Sequence, residues 1–209
     1  MKIYSIFFLL LFTTFSATQA QNVSYRILSQ TDNEMHVTVQ FPKHQLIPID
    51  IEGVMHRKLQ MNGCYPINNL GSPELLKSVF SIIIADIPEN VIIESTDFEI
   101  IENINLIPSK GKLYRNVNPD TIPYHKGERY LLNQFIEDEQ LAVSPLYQFR
   151  DLQGINISCM PFAYNPVTKQ LKVYHSIEFV IHSSSGFSLP LMEKKNKEYD
   201  KIYQERFLN

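Results

Sequence analysis

The sequence predicts an all-β chain: an antiparallel β-sandwich, jelly-roll-like, with a C-terminal amphipathic helical tail. Three observations carry this prediction. Apolar residues recur with a period of two along several stretches, Pro and Gly punctuate the chain at short intervals, and no alternation of strands with long helices suggests a parallel sheet.

Taken in order, the chain opens with a leader. Lys2 supplies a positive end, Ile6 to Phe12 is apolar, and small and polar residues follow up to Thr18-Gln19-Ala20. Residues 1–20 are read as a signal peptide cleaved after Ala20, which leaves a mature chain starting at Gln21. Met35, Val37, Val39 and Phe41 then alternate with His36, Thr38 and Gln40, the pattern of a strand with one wet face. Val79 to Ile87 contains the run Ile82-Ile83-Ile84, and Val91 to Ile104 is rich in β-branched residues. Two further strand-like runs, Ile155 to Phe162 and Leu171 to Ile181, flank Tyr164-Asn165-Pro166-Val167-Thr168-Lys169, which reads as a hairpin turn. These elements define a sandwich over residues 21–182.

After Ile181 the composition changes. Ser183-Ser184-Ser185-Gly186 is linker-like, and beyond Glu193 the chain becomes charged, with Tyr199, Ile202, Tyr203 and Phe207 at helical spacing. Residues 183–209 are read as linker and helical tail. A helix this short is marginal alone in water, so it packs on its own sandwich or meets a partner. The apolar stripe favours a partner, because an exposed tail would leave it uncovered.

Composition narrows the function. With 44% hydrophobic residues, 20% charged residues and a net charge of −3, the chain lacks the basic footprint of a nucleic-acid binder. The leader's apolar run is too short to span a bilayer and no other long apolar run follows, so no membrane contact is expected after signal cleavage. The protein is therefore expected to be secreted or periplasmic. Cys64 and Cys159 allow one disulfide at most, and both read as unpaired small hydrophobes. The six histidines are scattered, with no HExxH, no GxSxG elbow, no P-loop and no carboxylate cluster at ligand spacing. No catalytic residue, no metal site and no cofactor is assigned.

The irregular stretch from Pro108 to Tyr130 stands apart. It carries Lys110, Lys112, Arg115, Lys126 and Arg129 among Pro119, Pro123, Gly127, Tyr114 and Tyr124, a composition that suggests an ordered, rigid loop.

Two blocks carry a resemblance. Ile107-Pro-Ser-Lys-Gly-Lys-Leu-Tyr-Arg-Asn-Val-Asn-Pro-Asp-Thr-Ile-Pro-Tyr124 is similar to the propeptide of the gingipain family of caspase-like cysteine peptidases. SKG, NPD and IPY occur in the same order and spacing. Phe149-Arg-Asp-Leu-Gln-Gly154, followed by Pro161-Phe-Ala-Tyr-Asn-Pro-Val-Thr-Lys-Gln-Leu-Lys-Val-Tyr174, resembles that family's RDxxG block and hairpin. Gly71-Ser-Pro-Glu74 and Ile202-Tyr-Gln-Glu-Arg-Phe-Leu-Asn209 match as well.

The resemblance implies a β-sandwich prodomain that assists the folding of a following peptidase domain and keeps it latent. It also implies that a basic residue between SKG and NPD fills the specificity pocket of arginine-specific members, which here is Arg115. Lys112 or Lys110 would take its place against a lysine-preferring enzyme, with Asn118, Pro119 and Asp120 shaping the loop. The partner implied is a gingipain-type catalytic domain, in cis or in trans, with the tail residues Tyr199, Ile202, Tyr203 and Phe207 as a second contact. The family's catalytic Cys and His would lie beyond Asn209, so neither Cys64 nor Cys159 inherits that role. The chain then reads as a precursor fragment, a truncated gene product or a free-standing inhibitor. A carbohydrate- or surface-binding sandwich is the alternative, with Tyr65, Tyr124, Tyr130 and Tyr147 as candidate platforms.

Overall fold

The computed structural model describes residues 22–136, 140–150, 152–187 and 197–209. The signal peptide and the middle of the expected linker lie outside these residues. In chain order the elements are β1 (Ser24–Gln30), β2 (Glu34–Gln40), β3 (Gln45–Ile51), β4 (Val54–Gln60), β5 (Tyr65–Pro66), β6 (Leu76–Ile83) and β7 (Asn90–Ile101). There follow β8 (Leu141–Val143), β9 (Tyr147–Phe149), β10 (Leu152–Cys159), β11 (Phe162–Asn165), β12 (Gln170–His182) and α1 (Lys197–Arg206).

Two antiparallel sheets face each other. The first runs β1-β2-β12, with β11 continuing along the β2 side of β12 and β7 along its opposite side. The second runs β5-β6-β10-β8, with β9 also on β10. Alternation explains the packing between them. Met35, Val37 and Val39 of β2 and Ile177, Phe179 and Ile181 of β12 point inward and meet Phe80, Ile82 and Ile84 from the β6 side and Ile155, Ile157 and Cys159 of β10. Hairpin β3–β4 stands outside both sheets and reverses at Glu52 (φ 53°) and Gly53 (φ 79°), a tight turn of the left-handed kind.

The run from Ile155 to Phe162, expected as one strand, is two. β10 ends at Cys159, and Pro161 has no N–H to continue a ladder, so the chain crosses from the second sheet to the first at Met160-Pro161. The hairpin partner of β12 is therefore β11. Its turn is shorter than expected, since Tyr164 and Asn165 belong to β11 and the reversal takes residues 166–169; the Asn165 side-chain oxygen accepts from the backbone N–H of Val167 and Thr168 at 3.1 and 3.2 Å. The stretch 183–187, expected as a linker, is instead packed. Gly186 (φ 74°) turns the chain, and Ser183 and Phe187 are buried, the latter within the main core.

Between the two sheets' ends a second core collects Leu59, Leu76, Leu106, Phe162, Tyr164 and Leu171. Tyr164 is 1% exposed and its hydroxyl donates to the Ile104 carbonyl at 2.8 Å. Tyr164→Phe leaves that buried carbonyl without this donor, and denaturant unfolding should give a stability loss of about 1–2 kcal/mol. A loss within about 0.3 kcal/mol would show that the bond is dispensable.

The tail departs from expectation. Tyr203 and Phe207, read as partner-binding, are buried against the second sheet's outer face with Ile83, Leu152, Tyr147 and Phe149. Phe207 lies nearly parallel to Tyr147 with ring centres 6.4 Å apart, and edge-on to Phe149 at 6.0 Å. Gly154 makes this seat possible, since a Cβ there would lie 2.8 Å from the Phe207 ring and 2.7 Å from the Ile82 carbonyl. Beyond the helix the chain pairs in parallel with the edge of β6. Leu208 N–H donates to the Ser81 carbonyl (2.9 Å), and the Asn209 carboxamide accepts from Ile83 N–H (2.7 Å) and donates to Ile83 C=O (2.9 Å). A sheet edge satisfies this stripe where a second protein was expected. Ile202 is 37% exposed, and the Tyr199 side chain lies outside the described residues.

Candidate functional site

The segment Ile104–Ile107 leads from β7 into the irregular loop, and it is tied on every side. Arg57 N–H donates to the Asn105 carbonyl (2.7 Å) and Ile107 N–H to the Arg57 carbonyl (3.0 Å), while Tyr130 Oη donates to the Leu106 carbonyl (3.0 Å). Just beyond, both stems of the loop meet one dipeptide. Gly71 N–H donates to the Ser109 carbonyl, Ser109 N–H to the Ser72 carbonyl and Gly127 N–H to the Gly71 carbonyl, all at 2.8–2.9 Å. Gly71 has φ 73°, and a Cβ there would meet the Gly127 backbone at 3.1 Å, so the clamp needs glycine. The loop from 109 to 127 is thus closed at its base.

Within it, the Tyr114 carbonyl accepts from Val117 N–H at 3.0 Å, which makes Tyr114–Val117 a β-turn with Arg115 and Asn116 at its centre. Arg115 is exposed and makes no hydrogen bond or ion pair with the described residues; Tyr114 beside it is 82% exposed. Lys112 is exposed on the ascending leg. On the descending leg a 3-10 turn spans Pro119–Thr121, with Pro119 at its first position. The Asn118 side-chain oxygen caps it by accepting from Asp120 N–H at 3.0 Å.

Lys110 points inward. Its Nζ donates to the Pro119 carbonyl at 2.8 Å and sits 4.0 Å from the Tyr124 ring centre. Burial pushes the Glu74 carboxyl upward from its ordinary value, while the charges of Lys58 and Lys110 act the other way. The structure therefore brings Lys110, Asn118 and Pro119 together and leaves Arg115, Lys112 and Asp120 facing solvent. Sequence reading missed the clamp at Gly71-Ser72, and it counted Tyr124 in the rigid loop without its contact to Lys110. The matching block Gly71-Ser-Pro-Glu74 was the available signal.

The cysteines are free, and geometry explains it. Tyr65, next to Cys64, pairs with Lys77, and Cys159 pairs with Ser78, so β6 separates the two. Two strand spacings, roughly 9–10 Å, exceed the reach of a disulfide. Burial pushes the Cys64 thiol up to about 12 and raises that of Cys159 further, opposite to what a nucleophilic thiolate requires. Among the described residues no group of three or more His, Cys, Asp or Glu could hold a metal, and no helix is long and apolar enough to cross a membrane. The candidate aromatic platforms do not form a row: Tyr130 is engaged at the loop base, Tyr147 under Phe207 and Tyr124 against Lys110.

Gingipain R1 of Porphyromonas gingivalis is 29% identical over 188 residues, 88% of this chain and 18% of that protein. A Lys-gingipain of the same organism is 22% identical over 149 residues, 68% of this chain and 9% of that protein. The chain thus spans less than a fifth of the length of the curated relatives it matches. Among solved structures, the complex of P. gingivalis RgpB pro- and mature domains matches with a TM-score of 0.79 at 25% identity, over 90% of this chain and 98% of that one. A structure concerned with zymogenic latency of gingipain K shares the fold, with a TM-score of 0.65 at 19% identity over 78% of this chain and 93% of that one. The model of the Propeptide_C25 family matches residues 16–209, and the chain belongs to that family as a gingipain-type propeptide.

Proposed function

We propose that this propeptide keeps a gingipain-type cysteine endopeptidase latent and assists its folding, by placing Arg115 in an acidic specificity pocket. The observation that carries this reading is the position of Arg115: unpaired among the described residues, at the centre of a hydrogen-bonded turn, on a loop whose stems are clamped together. A guanidinium offers a planar fork to a carboxylate, and a loop already held in shape loses little freedom on docking. Inhibition without cleavage also follows. A peptidase cleft takes its substrate extended, whereas the Arg115–Asn116 bond lies inside a β-turn and presents its carbonyl off the line of attack. Greater similarity to the gingipain R1 sequences than to the Lys-gingipains supports an arginine-preferring partner.

The partner is a catalytic domain in cis or in trans. The protein is exported through the leader at residues 1–20, cleaved after Ala20, to the periplasm or the exterior. Purified residues 21–209 are expected to inhibit an arginine-specific gingipain-type peptidase reversibly at submicromolar concentration, and a lysine-specific one more weakly, by at least about tenfold (~1.4 kcal/mol). Absence of inhibition of the arginine-specific enzyme at micromolar concentration would sink the proposal.

A further inference from the structure

Lys110 spans the loop from inside. Its ammonium donates to the carbonyl of Pro119, on the leg that descends from the turn, and lies over the ring of Tyr124, five residues further on. It thus joins three points that enclose the turn bearing Arg115. The carbonyl it holds also accepts from Ile122 N–H at 3.2 Å, so the same contact braces the 3-10 turn that Asn118 caps. Backbone hydrogen bonds fix the stems at Gly71-Ser72, and above Ser109 the hydrogen bonds between the two legs among the described residues are this one from Lys110 and the turn's own. A charge-assisted bond at 2.8 Å and a cation over an aromatic face are the strong forms of such contacts.

We propose that Lys110 is a positioning residue that decides whether the loop acts as inhibitor or as substrate. The inference rests on the reading of Arg115 as the pocket-filling group and deepens it. With Lys110 in place, Tyr114–Val117 stays a turn, and Arg115 enters the pocket while the following peptide bond stays out of line. Without it, the descending leg is released and the loop can extend through the cleft. Hydrolysis of the Arg115–Asn116 bond then consumes one water and leaves the Arg115 carboxylate and the Asn116 amine. Lys110 thereby leaves the set of candidate pocket residues, since its ammonium is spoken for inside the loop.

The experiment uses residues 21–209 as the parent, with Lys110→Met, which keeps the stem and removes the ammonium, and Lys110→Arg, which restores a cationic donor. Each is incubated with an arginine-specific gingipain-type peptidase and, separately, with trypsin. The product ending at Arg115 is followed by mass. Cleavage of an otherwise folded chain tracks the population of the opened loop, so Lys110→Met should be cut after Arg115 at least about tenfold faster than the parent by both enzymes. Its initial inhibition should stay within about threefold of the parent and then decay as cleavage proceeds. Lys110→Arg should return both readouts toward the parent, and an unchanged melting temperature in all three excludes general loosening. The trypsin arm reads the strut without the cognate enzyme: an unchanged cutting rate there overturns the role of Lys110. Failure of the parent to inhibit, with the trypsin difference intact, overturns the Arg115 reading and with it the passage from inhibitor to substrate.

Discussion

Arg115→Ala is expected to weaken inhibition of an arginine-specific gingipain-type peptidase by at least about thirtyfold, roughly 2 kcal/mol, while leaving the fold untouched. The asymmetry follows from where the side chain sits. It touches no hydrogen-bonding partner among the described residues, so its removal costs the free domain almost nothing. In the complex it would be the group that satisfies a buried acidic pocket, and truncation leaves that pocket's charge without a counterpart. Arg115→Lys should fall between, because an ammonium is a point charge without the guanidinium fork. A paired Lys112→Ala variant decides the register of the loop. If Arg115→Ala inhibits like the parent and Lys112→Ala does not, the pocket-filling residue is Lys112 and the turn-centred geometry is irrelevant.

Phe207→Ala is expected to lower the stability of the domain by about 3–5 kcal/mol, the usual cost of deleting a buried aromatic ring. The ring is 6% exposed and contacts Tyr147 and Phe149 over the seat that Gly154 leaves open. Its loss removes the anchor between α1 and the last residues on the β6 edge. For a domain of this size the melting temperature should fall by roughly 10 °C. The Ile83 amide, held by the Asn209 side chain at 2.7 Å, should exchange with solvent far faster than in the parent. A stability change under about 1 kcal/mol, with Ile83 still protected, would mean that the tail's docking is not seated on this ring.

Legibility differed between elements for physical reasons. The period-two pattern of Met35, Val37 and Val39 marked a half-buried strand, and all three side chains face the core as that pattern requires. The Asn165-Pro166 turn was equally readable, because its hydrogen bonds span only two or three residues. The change of sheet at Met160-Pro161 was not, since an apolar run looks the same whether its ends belong to one sheet or two. The tail's stripe was legible but its counterpart was not: Leu152, Ile83 and Phe149 lie more than fifty residues upstream. In the loop, sequence singled out the cations as a class. Only the contact between Lys110 and Pro119, closed across nine residues, separates Lys110, which braces, from Lys112 and Arg115, which face outward.

The placement of β12 has a kinetic meaning. This strand, residues 170–182, lies between β2 and β7, and among the described residues β2's other neighbour is β1. The first sheet therefore cannot close until the chain is available almost to its last described elements, and its decisive pairings join residues well over a hundred positions apart. Topologies dominated by such distant pairings fold slowly, in milliseconds to seconds, because loop closure must precede any reward from contact. The base of the loop rests on the same late event, since Tyr164 and the carbonyl of Lys169 hold Ile104 from the β11–β12 hairpin. A nascent or incomplete chain thus has no rigid loop to offer, and the inhibition proposed for it would arrive only with the completed sandwich.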